Sequence, residues 1–481
     1  MSAGRVVVIG GGLAGIAAAL DCADAGAEVT LVEVRRRLGG AAYSFERDGM
    51  RLDNGQHVFL RCCAAYRALL ERFGSERHVA VQERLQIPVM SPGKPTVMLR
   101  RGSLPPPLHL AGALARYPHL SRAQRLSAAL AARALSAVDP DDPENDRRTL
   151  GDWLGDLGQN KSSLAALWDL IALPTLNVRA ADASLALGAF VFRTGLLASA
   201  DAGDIGFHVG TLAEVIGEPA ERALVAAGVE FRLGWRAQGL RTVDGGFEVE
   251  GGEDGGLSAD AVIVALPHAR AAGLIESLLP QQAAALAQIG SSPIVNVHVV
   301  FDRVVCEEPF AAGVGSPVQY LFDRSAAAGA PAGCQYLAIS LSGADEEMKL
   351  SVDELRERYV AALRDLLPAA RGANVEAFYV TREHAATFRA VPGVGALRPG
   401  SRTSIPGLAL AGTWTDTKWP ATLESAVLSG HAAARTALAA LELGGAPGEH
   451  AGPAETHAPA SAPDTSVPTS ETPAGSGALG G

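Results

Sequence analysis

Three glycines near the N-terminus have a spacing that suits the binding of a dinucleotide. Gly10, Gly12 and Gly15 lie between an apolar stretch, RVVVIG, and an Ala-rich stretch, LAGIAAALDCADAG. The first glycine permits a tight turn, the second lets a pyrophosphate approach the main chain, and the third lets a helix pack closely on a strand. The free N–H groups at the helix N-terminus attract phosphates. The stretch therefore predicts a β-α-β unit that holds a pyrophosphate.

An acidic residue and a basic, glycine-containing stretch follow the second predicted strand. Glu33 lies 18 residues after the third glycine, where a carboxylate accepts hydrogen bonds from ribose hydroxyls and disfavours the 2′-phosphate of NADP. The order Glu33, Arg37, Gly39, Gly40 and Ser44 suits a longer, doubled-back dinucleotide, with Arg37 near its pyrophosphate. The glycine motif alone does not distinguish FAD from NAD, and this second stretch favours the longer molecule.

A second loop of the same kind lies near the C-terminus. The stretch AGTWTDTKWPATLESAVLSG, residues 411–430, reads as the end of a strand, then Gly412, a turn and a helix that opens near Pro420. A helix N-terminus near Thr422 and Leu423 would aim free N–H groups and a positive dipole end at an anionic group. The alternative interpretation is an ordinary amphipathic terminal helix.

Other patterns predict the elements that position these loops. Three distant segments have the apolar character of buried strands and are predicted to form one sheet; they are residues 5–33, 259–267 and 407–414. Between them the chain changes character. Residues 104–204 are Leu- and Ala-rich and predicted helical, residues 290–345 carry strand patterns, and residues 351–369 predict an amphipathic helix. We interpret this intervening material as a second domain threaded through the first.

Composition excludes several classes of protein. A formal net charge of −11 argues against a nucleic-acid surface. The five cysteines show no CxxC or CxxH spacing, so we expect reduced thiols in a cytosolic protein and no metal site. No apolar run reaches the roughly 18–20 residues of a spanning helix. The tail from Gly444 onward is rich in Pro, Ala, Gly, Ser and Thr and is predicted to be disordered.

These motifs resemble those of a known group of flavoproteins. The stretch from Glu33 to Ser44 looks like the FAD fingerprint of the amine oxidase and phytoene desaturase superfamily. The stretches DNGQHVF and TDTKWPAT are similar to those of the hydroxysqualene dehydroxylases, formerly described as squalene-associated FAD-dependent desaturases. WDLIALPTLN and ALPHARAAGLI also fit. The resemblance covers residues 5–440.

The resemblance implies an α/β fold with a Rossmann-like, GR2-type FAD-binding domain of the amine oxidase kind. An interleaved α+β substrate domain and a disordered C-terminal tail complete it. The N-terminal glycines would hold the ADP half of FAD, and the loop with Gly412, Thr422 and Leu423 would hold the ribityl chain and isoalloxazine. The expected boundaries are 1–80, 205–285 and 398–443 for the FAD-binding domain, 81–204 and 286–397 for the substrate domain, and 444–481 for the tail.

The resemblance also implies a reaction. The family uses reduced FAD to remove the hydroxyl of hydroxysqualene, and it forms squalene and water for hopanoid synthesis. Such a reaction requires a proton for the leaving hydroxyl and the exclusion of water from a carbocation-like carbon. His57 in DNGQHVF and Asp416 and Lys418 in the C-terminal loop are the candidate catalytic residues, with Trp419 as a wall of the site. The sequence does not select one acid among them.

Other functions remain open on the sequence alone. An oxidative carotenoid or squalene-type desaturase would use the same fold with the hydride moving in the opposite direction. An amine oxidase is disfavoured because those sites need aromatic walls and aromatic residues make up only 5%. A flavin-free lipid carrier, like the escort proteins of prenylated GTPases, is a candidate of another class.

The expected partner is an isoprenoid lipid, hydroxysqualene, and the electron donor for FAD is unknown. The apolar segments 102–120 and 188–200 could lie on a bilayer surface as an access lip; core helices are the alternative. The net negative charge gives no help to membrane adsorption. We expect a bacterial protein of the cytoplasm, with peripheral contact at the inner face of the cytoplasmic membrane as one option.

Overall fold

The structure is a computed structural model that describes residues 4–252 and 255–441. The predicted disordered tail lies outside the described residues. The strands, numbered in chain order, are β1 Arg5–Ile9, β2 Glu28–Glu33, β3 Ser44–Arg47, β4 Met50–Asp53, β5 Val58–Leu60, β6 Val79–Val81, β7 Gln86–Ser91, β8 Lys94–Arg100, β9 Ile205–His208, β10 Glu230–Leu233, β11 Ala237–Val243, β12 Gly246–Gly251, β13 Leu257–Ala259, β14 Ala261–Val264, β15 Ser291–Phe301, β16 Phe310–Gly313, β17 Tyr320–Asp323, β18 Gln335–Ser342, β19 Val375–Phe388 and β20 Leu408–Leu410.

Seven of the fifteen α-helices among the described residues lie between β8 and β9. The α-helices are α1 Leu13–Asp24, α2 Ala64–Phe73, α3 Ala111–Arg116, α4 Arg122–Leu135, α5 Pro143–Asp146, α6 Leu150–Asp156, α7 Lys161–Ser163, α8 Asp169–Leu176, α9 Leu185–Phe192, α10 Glu218–Ala226, α11 His268–Ile275, α12 Pro280–Gln288, α13 Ser325–Ala328, α14 Val352–Leu366 and α15 Leu423–Ala440. Single π-helical turns at Leu164–Trp168, Arg193–Leu197 and Ala213–Gly217 adjoin α8, α9 and α10.

A five-stranded parallel sheet in the order β10-β2-β1-β14-β20 carries the two predicted loops. Its strands come from distant parts of the chain, as the apolar runs predicted. The central strands β1 and β14 are almost continuously buried, because helices cover both faces of a parallel sheet. The carboxyl ends of parallel strands are where ligands bind in such sheets, so this edge positions the site.

The two helices that follow the predicted loops pack directly on each other. Gly430 of α15 lies so close to α1 that a Cβ there would be 2.3 Å from the carbonyl oxygen of Ala14. The sequence placed the opening of α15 near Pro420 and its N-terminus near Thr422 and Leu423, and the structure agrees with the second position. The helix begins at Leu423, because Thr422 is in an extended conformation and its hydroxyl accepts a hydrogen bond from the N–H of Ser425.

A seven-stranded sheet in the order β19-β15-β18-β17-β16-β7-β8 forms the second layer. Residues of β15 alternate between its two faces. Val295, Val297 and Val299 pack in the core that includes α14, whereas Asn296 and His298 on the other face contact the residues around the DNG turn and Tyr336. This sheet therefore contacts the turn at Asn54, which follows the FAD fingerprint.

Residues 228–252 are divided between two sheets, because β10 joins the parallel sheet while β11 and β12 pair with β13. The segment 188–200, one of the two candidate access lips, contains the end of α9 and is largely buried from Gly188 to Gly195, so the core interpretation holds there. The division into an FAD-binding and a substrate domain stays a prediction. None of the helices among the described residues is both long and apolar enough to cross a membrane.

Candidate functional site

The glycine loop between β1 and α1 has the close contacts that its spacing predicts. A Cβ on Gly15 would lie 1.9 Å from the carbonyl oxygen of Gly10, and one on Gly10 would lie 2.3 Å from that of Ala265. Gly10 also has a φ of +121°, which side chains disfavour. Gly12 is the N-cap of α1 and supplies no capping side chain. The N–H groups of the first turn are therefore left for an anionic ligand.

Glu33 lies at the carboxyl end of β2, beside the glycine loop. Its side-chain oxygens accept hydrogen bonds from the main-chain N–H of Gly11 at 2.7 Å and of Arg35 at 2.8 Å. The residue is 8% exposed. Because each carboxylate oxygen has a second lone pair, Glu33 is fixed in place and keeps acceptor capacity for a ribose.

Arg37 and the glycine pair close over the same loop. Arg37 donates to the carbonyl of Gly40 at 3.0 Å, and its guanidinium lies 3.5 Å from the centre of the Tyr43 ring. Its Nη2 is buried without a hydrogen-bond partner among the described residues. Burial, and after it the charge of Arg35, lowers the pKa of Arg37. A pyrophosphate would satisfy the Nη2 donor and offset the crowding of the two cations.

Gly40 is pressed against the glycine loop, since a Cβ there would meet the Cα of Gly12 at 2.7 Å. Gly39 and Gly40 both have positive φ, +99° and +60°. The predicted site residues Gly10, Gly12, Gly15, Glu33, Arg37, Gly39 and Gly40 are thus brought together at one edge of the sheet. These observations fit the ADP half of FAD.

Ser44 has partners that the sequence did not indicate. Its hydroxyl donates to Asp53 at 2.7 Å and accepts from the N–H of Ala213 at 2.9 Å. Asp53 in turn forms a buried ion pair of 2.9 Å with Arg324, which also donates to the carbonyls of His208 and Gly210. Burial is the largest influence on Asp53 and raises the pKa of its carboxyl, with Arg324 opposing it. Ser44 therefore supports an internal ion pair.

The Asn54 turn joins the FAD fingerprint to the second sheet. The main-chain carbonyl of Asn54 accepts hydrogen bonds from Asn296 and Thr381, on β15 and β19. The side-chain amide of Asn54 donates to the carboxylate of Glu383 at 2.9 Å. The same carboxylate accepts a hydrogen bond from the hydroxyl of Tyr43. The turn is therefore fixed from both sides, and it holds His57 three residues further on.

His57 immediately precedes β5, at the start of a three-stranded sheet of β5, β9 and β6. Desolvation lowers its pKa to about 4, and burial with the nearby charge of His57 lowers that of His208 to about 3. His208 is hydrogen-bonded to the hydroxyl of Tyr66 at 2.8 Å. His57 is nevertheless partly accessible. At neutral pH its imidazole is uncharged, because its pKa is lowered.

The face of the β5, β9 and β6 sheet that carries Val58 and Phe207, away from His57, is apolar and aromatic. Val58 pairs with Phe207 across β5 and β9, and the Phe207 ring lies 6.0 Å from that of Phe310. Phe310 and Phe322 stack at 6.0 Å, and Phe322 and Tyr320 stack at 6.3 Å. The low overall aromatic content thus conceals a local row of four rings beside the candidate site.

The C-terminal loop lies at the carboxyl end of β20. Gly412 has a φ of +138°, and a Cβ there would meet Nε1 of Trp414 at 2.5 Å. Trp414 donates from Nε1 to the carbonyl of Leu266, just after β14. Because Thr422 caps the N–H of Ser425, the N–H groups of Leu423 and Glu424 remain at the helix N-terminus. This end of α15 can face an anionic group.

Glu424 performs a structural task that sequence patterns did not reveal. Its carboxylate accepts hydrogen bonds from the N–H groups of Ala65 and Tyr66, at 3.0 and 2.7 Å, and so caps α2. Burial raises the pKa of this carboxyl, with the two N–H donors opposing the rise. The start of α15 is thereby fixed to the helix that follows β5.

The remaining catalytic candidates separate into two groups. Trp419 is half-buried, and its ring meets that of Phe190 edge-on at 5.1 Å. Lys418 and Asp416 are exposed, and Lys418 forms ion pairs of 3.2 Å with both Asp416 and Asp141. No hydrogen bond or ion pair connects either of them to His57 in the described part of the chain. The structure therefore packs Trp419 against Phe190 and leaves Asp416 and Lys418 at the surface.

Comparison with known proteins agrees with this arrangement. A family model described as flavin containing amine oxidoreductase matches residues 13–438. A hydroxysqualene dehydroxylase of Rhodopseudomonas palustris is 31% identical over 90% of this chain and 98% of its own length. A hydroxysqualene dehydroxylase of Sinorhizobium fredii is 29% identical, and a zeta-carotene desaturase of Synechocystis is 26% identical, each over 90% of this chain. These two are covered over 98% and 97% of their lengths.

Solved structures show the same fold at low identity. Putrescine oxidase bound to putrescine superposes with a TM-score of 0.70 at 19% identity, over 91% of this chain and 99% of that one. Cyclohexylamine oxidase from Brevibacterium oxydans gives a TM-score of 0.68 at 20% identity, over 92% and 99%. The resemblance to hydroxysqualene dehydroxylases and the amine oxidase-like fold are therefore confirmed. The chain is an FAD-dependent oxidoreductase and belongs to the flavin-containing amine oxidoreductase family.

Proposed function

We propose that the protein reductively removes the hydroxyl of hydroxysqualene to give squalene. The observation that carries this proposal is the 31% identity, over 90% of this chain, to a hydroxysqualene dehydroxylase of Rhodopseudomonas palustris. The names of the relatives agree, since those quoted above are called hydroxysqualene dehydroxylases or a zeta-carotene desaturase.

The proposed reaction breaks one C–O bond and forms one C–H bond. Protonation of the hydroxyl releases water, and a hydride then joins the electron-poor carbon, so the substrate, one proton and one hydride together account for all atoms and electrons of the product and the water. FAD in its reduced form supplies the hydride. The protein must orient the hydroxyl and keep water away from the electron-poor carbon.

We assign the binding of the cofactor to two groups of residues. Gly10, Gly12 and Gly15 would hold the pyrophosphate, with Glu33 on the ribose and Arg37 donating its unpartnered Nη2. Gly412 and the N–H groups of Leu423 and Glu424 would lie near the isoalloxazine. Gln56 carries a buried amide nitrogen without a partner among the described residues, which is free to contact a bound ligand beside His57.

His57 is assigned the role of orienting the substrate hydroxyl. With a pKa lowered to about 4, its imidazole is neutral at physiological pH and offers one N–H donor and one acceptor. A neutral imidazole can hold a hydroxyl without adding a second positive charge beside a developing cation. Trp419 and Phe190 would exclude water from the space that the substrate occupies.

A desaturase on the same fold is the second candidate, favoured by the similarity to zeta-carotene desaturase. The two functions differ in the direction of hydride transfer. The flavin-free carrier is not retained, since the chain belongs to a flavin-containing family.

A single-turnover experiment separates the two directions. Protein with chemically reduced FAD is mixed anaerobically with hydroxysqualene in D₂O, and the products are analysed by mass spectrometry. We expect squalene with one deuterium at the former carbinol carbon, because the transferable hydrogen of reduced flavin exchanges with solvent. Protein with oxidised FAD should form none. Formation of a dehydrogenated product only by the oxidised protein would establish the desaturase instead.

A further inference from the structure

The segment from residue 84 to residue 138 differs in charge from the rest of the chain. It contains eight Lys and Arg residues and no Asp or Glu, whereas the whole chain has a formal net charge of −11. Because the segment contributes +8, the remainder carries −19. The overall composition conceals this separation, and the argument that net charge opposes membrane adsorption does not apply to this segment.

Most of these cations are free. Arg101 is paired with Asp204, and Arg125 donates to the carbonyls of Leu120 and Ala115. The other six are exposed, and none forms an ion pair within the part of the chain that the structure describes. These six are Arg84, Lys94, Arg100, Arg116, Arg122 and Arg133.

Exposed leucines accompany the free cations. On α4, Leu126 is 65% exposed and Leu130, one turn later, is 61% exposed. Arg122 and Arg133 lie one turn before and one turn after this pair on the same helix face. Leu104 and Leu108 in the preceding loop are each 55% exposed. Among the described residues only one further leucine, Leu157, reaches the exposed class.

The elements that carry these residues form one continuous region above the apolar cluster. Helix α3 contacts β8, the turn at 108–110 and α4. Tyr117 and Leu120, which join α3 to α4, are buried in the same cluster as Phe310 and Phe322. The region therefore packs on the apolar cluster that contains the aromatic row.

We propose that residues 84–138 form a docking surface for an anionic lipid bilayer. Arg122 and Arg133 would contact the headgroup phosphates while Leu126 and Leu130 enter the boundary of the acyl chains. An acidic protein partner would use the cations but gain little from isolated leucines. The inference rests on the proposed function only for the source of the substrate, because binding to vesicles can be measured without substrate.

Vesicle co-sedimentation of the full-length, FAD-loaded protein tests the surface. We expect binding to vesicles of phosphatidylcholine mixed with phosphatidylglycerol, and weak binding to phosphatidylcholine alone. Leu126→Ser with Leu130→Ser should lower the partition coefficient by about tenfold. Arg122→Ser with Arg133→Ser should lower it by about tenfold at low salt, and by less at high salt.

A matched control lies on α10, where Arg222→Ser with Val225→Ser also removes an exposed cation and an exposed apolar residue. This pair should leave vesicle binding unchanged. Equal losses in the α4 and α10 variants, or no binding to the anionic vesicles, would overturn the proposal. Loss on arginine but not leucine replacement would show adsorption by charge alone and would overturn the insertion of the leucines. Failure to convert hydroxysqualene alongside normal vesicle binding would count against the reaction only.

Discussion

The guanidinium of Arg398 donates a hydrogen bond of 2.8 Å to the main-chain carbonyl of Trp419. The same Nη2 lies 2.7 Å from the carbonyl of Thr415, so one side chain holds both limbs of the C-terminal loop. Arg398 is 7% exposed, and burial lowers its pKa to about 10. Its guanidinium also lies 4.7 Å from the centre of the Phe388 ring. The position of the loop therefore depends on a buried cation that satisfies carbonyl groups.

Replacement of this cation should loosen the loop. In Arg398→Met the two carbonyls lose their donor, and we expect a decrease of about 2–4 kcal/mol in the free energy of unfolding. FAD should dissociate faster, because the start of α15 is no longer held. Urea unfolding and the rate of flavin release measure the two effects. Arg402→Met, at an exposed position in the same segment, is the control, and equal behaviour of both variants would refute the role.

Loss of the Glu33 carboxylate should weaken binding of the ADP half. Glu33→Ala removes the acceptor for the ribose and the partner of the Gly11 N–H, and a charged hydrogen bond is worth about 1.5–3 kcal/mol. We therefore expect the FAD dissociation constant to rise by about 10- to 100-fold. Glu28→Ala, at the exposed start of the same strand, should leave it unchanged. Unaltered affinity in Glu33→Ala would count against this assignment.

The N-terminus of α15 can be tested at Leu423. Proline is tolerated at the first position of a helix, so Leu423→Pro deletes one N–H donor while α15 still forms. If this N–H faces the isoalloxazine, the reduced flavin loses stabilisation and its midpoint potential should fall by about 20–50 mV. Leu423→Ala removes the side chain and keeps the N–H, and it should retain the normal potential. Identical potentials in both variants would place the loop away from the flavin.

Sequence patterns predicted the tight packing of the N-terminal glycine loop because part of it is local. Gly15 packs on the carbonyl of Gly10 within the same β-α-β unit, which leaves a readable spacing, whereas the contact of Gly10 with Ala265 is distant in sequence. Glu33 follows for the same reason, since a parallel strand ends beside its neighbour. The parallel sheet itself was predictable from the continuous burial of its strands.

Long-range partners could not be predicted in this way. Arg324 meets Asp53 across 271 positions of sequence, and Glu424 caps a helix 358 positions away. No periodicity marks such pairs. The start of α15 could be placed only between Pro420 and Leu423, because Pro420 suits a first helical turn while the hydroxyl of Thr422 provides the actual cap. The end of α9 could be interpreted as a surface segment, because apolarity alone does not distinguish a buried helix from a membrane-facing one.

Stability should fall in mild acid because of buried neutral imidazoles. His298 is fully buried, is hydrogen-bonded to the Tyr336 hydroxyl at 2.6 Å, and has a pKa lowered by burial to about 4. Below the unfolded value of about 6.5 the unfolded chain binds a proton that the folded chain does not. The contribution of His298 is thus complete above pH ~6.5 and is lost as pH falls towards its folded pKa of about 4.

Urea titrations across this pH range measure the effect. Between neutral pH and pH ~4, the free energy of unfolding should fall by up to about 3 kcal/mol less in His298→Gln than in the wild type. The variant should itself be less stable than the wild type at neutral pH. His384→Gln, at an exposed position, should leave the pH dependence unchanged. Parallel pH curves for the wild type and His298→Gln would contradict the linkage.

Replacement of the partly buried candidates His57 and Trp419 should affect turnover, whereas replacement of the exposed Lys418 should not. His57→Gln should lower the single-turnover rate by about 10- to 100-fold, because the hydroxyl loses its orienting partner, while FAD binding is retained. Trp419→Ala should spare FAD and divert product to water-trapped alcohols. Lys418→Ala should stay within about twofold, because its ion pairs are exposed and contribute little. Since the His57 imidazole is already neutral, its titration should not reduce the rate between pH ~6 and ~8. A rate that changed with a pKa near 6.5, and that lost this dependence in His57→Gln, would show that an imidazolium donates the proton instead. Loss of activity in Lys418→Ala protein with normal flavin content would identify Lys418, in the surface loop, as the proton donor.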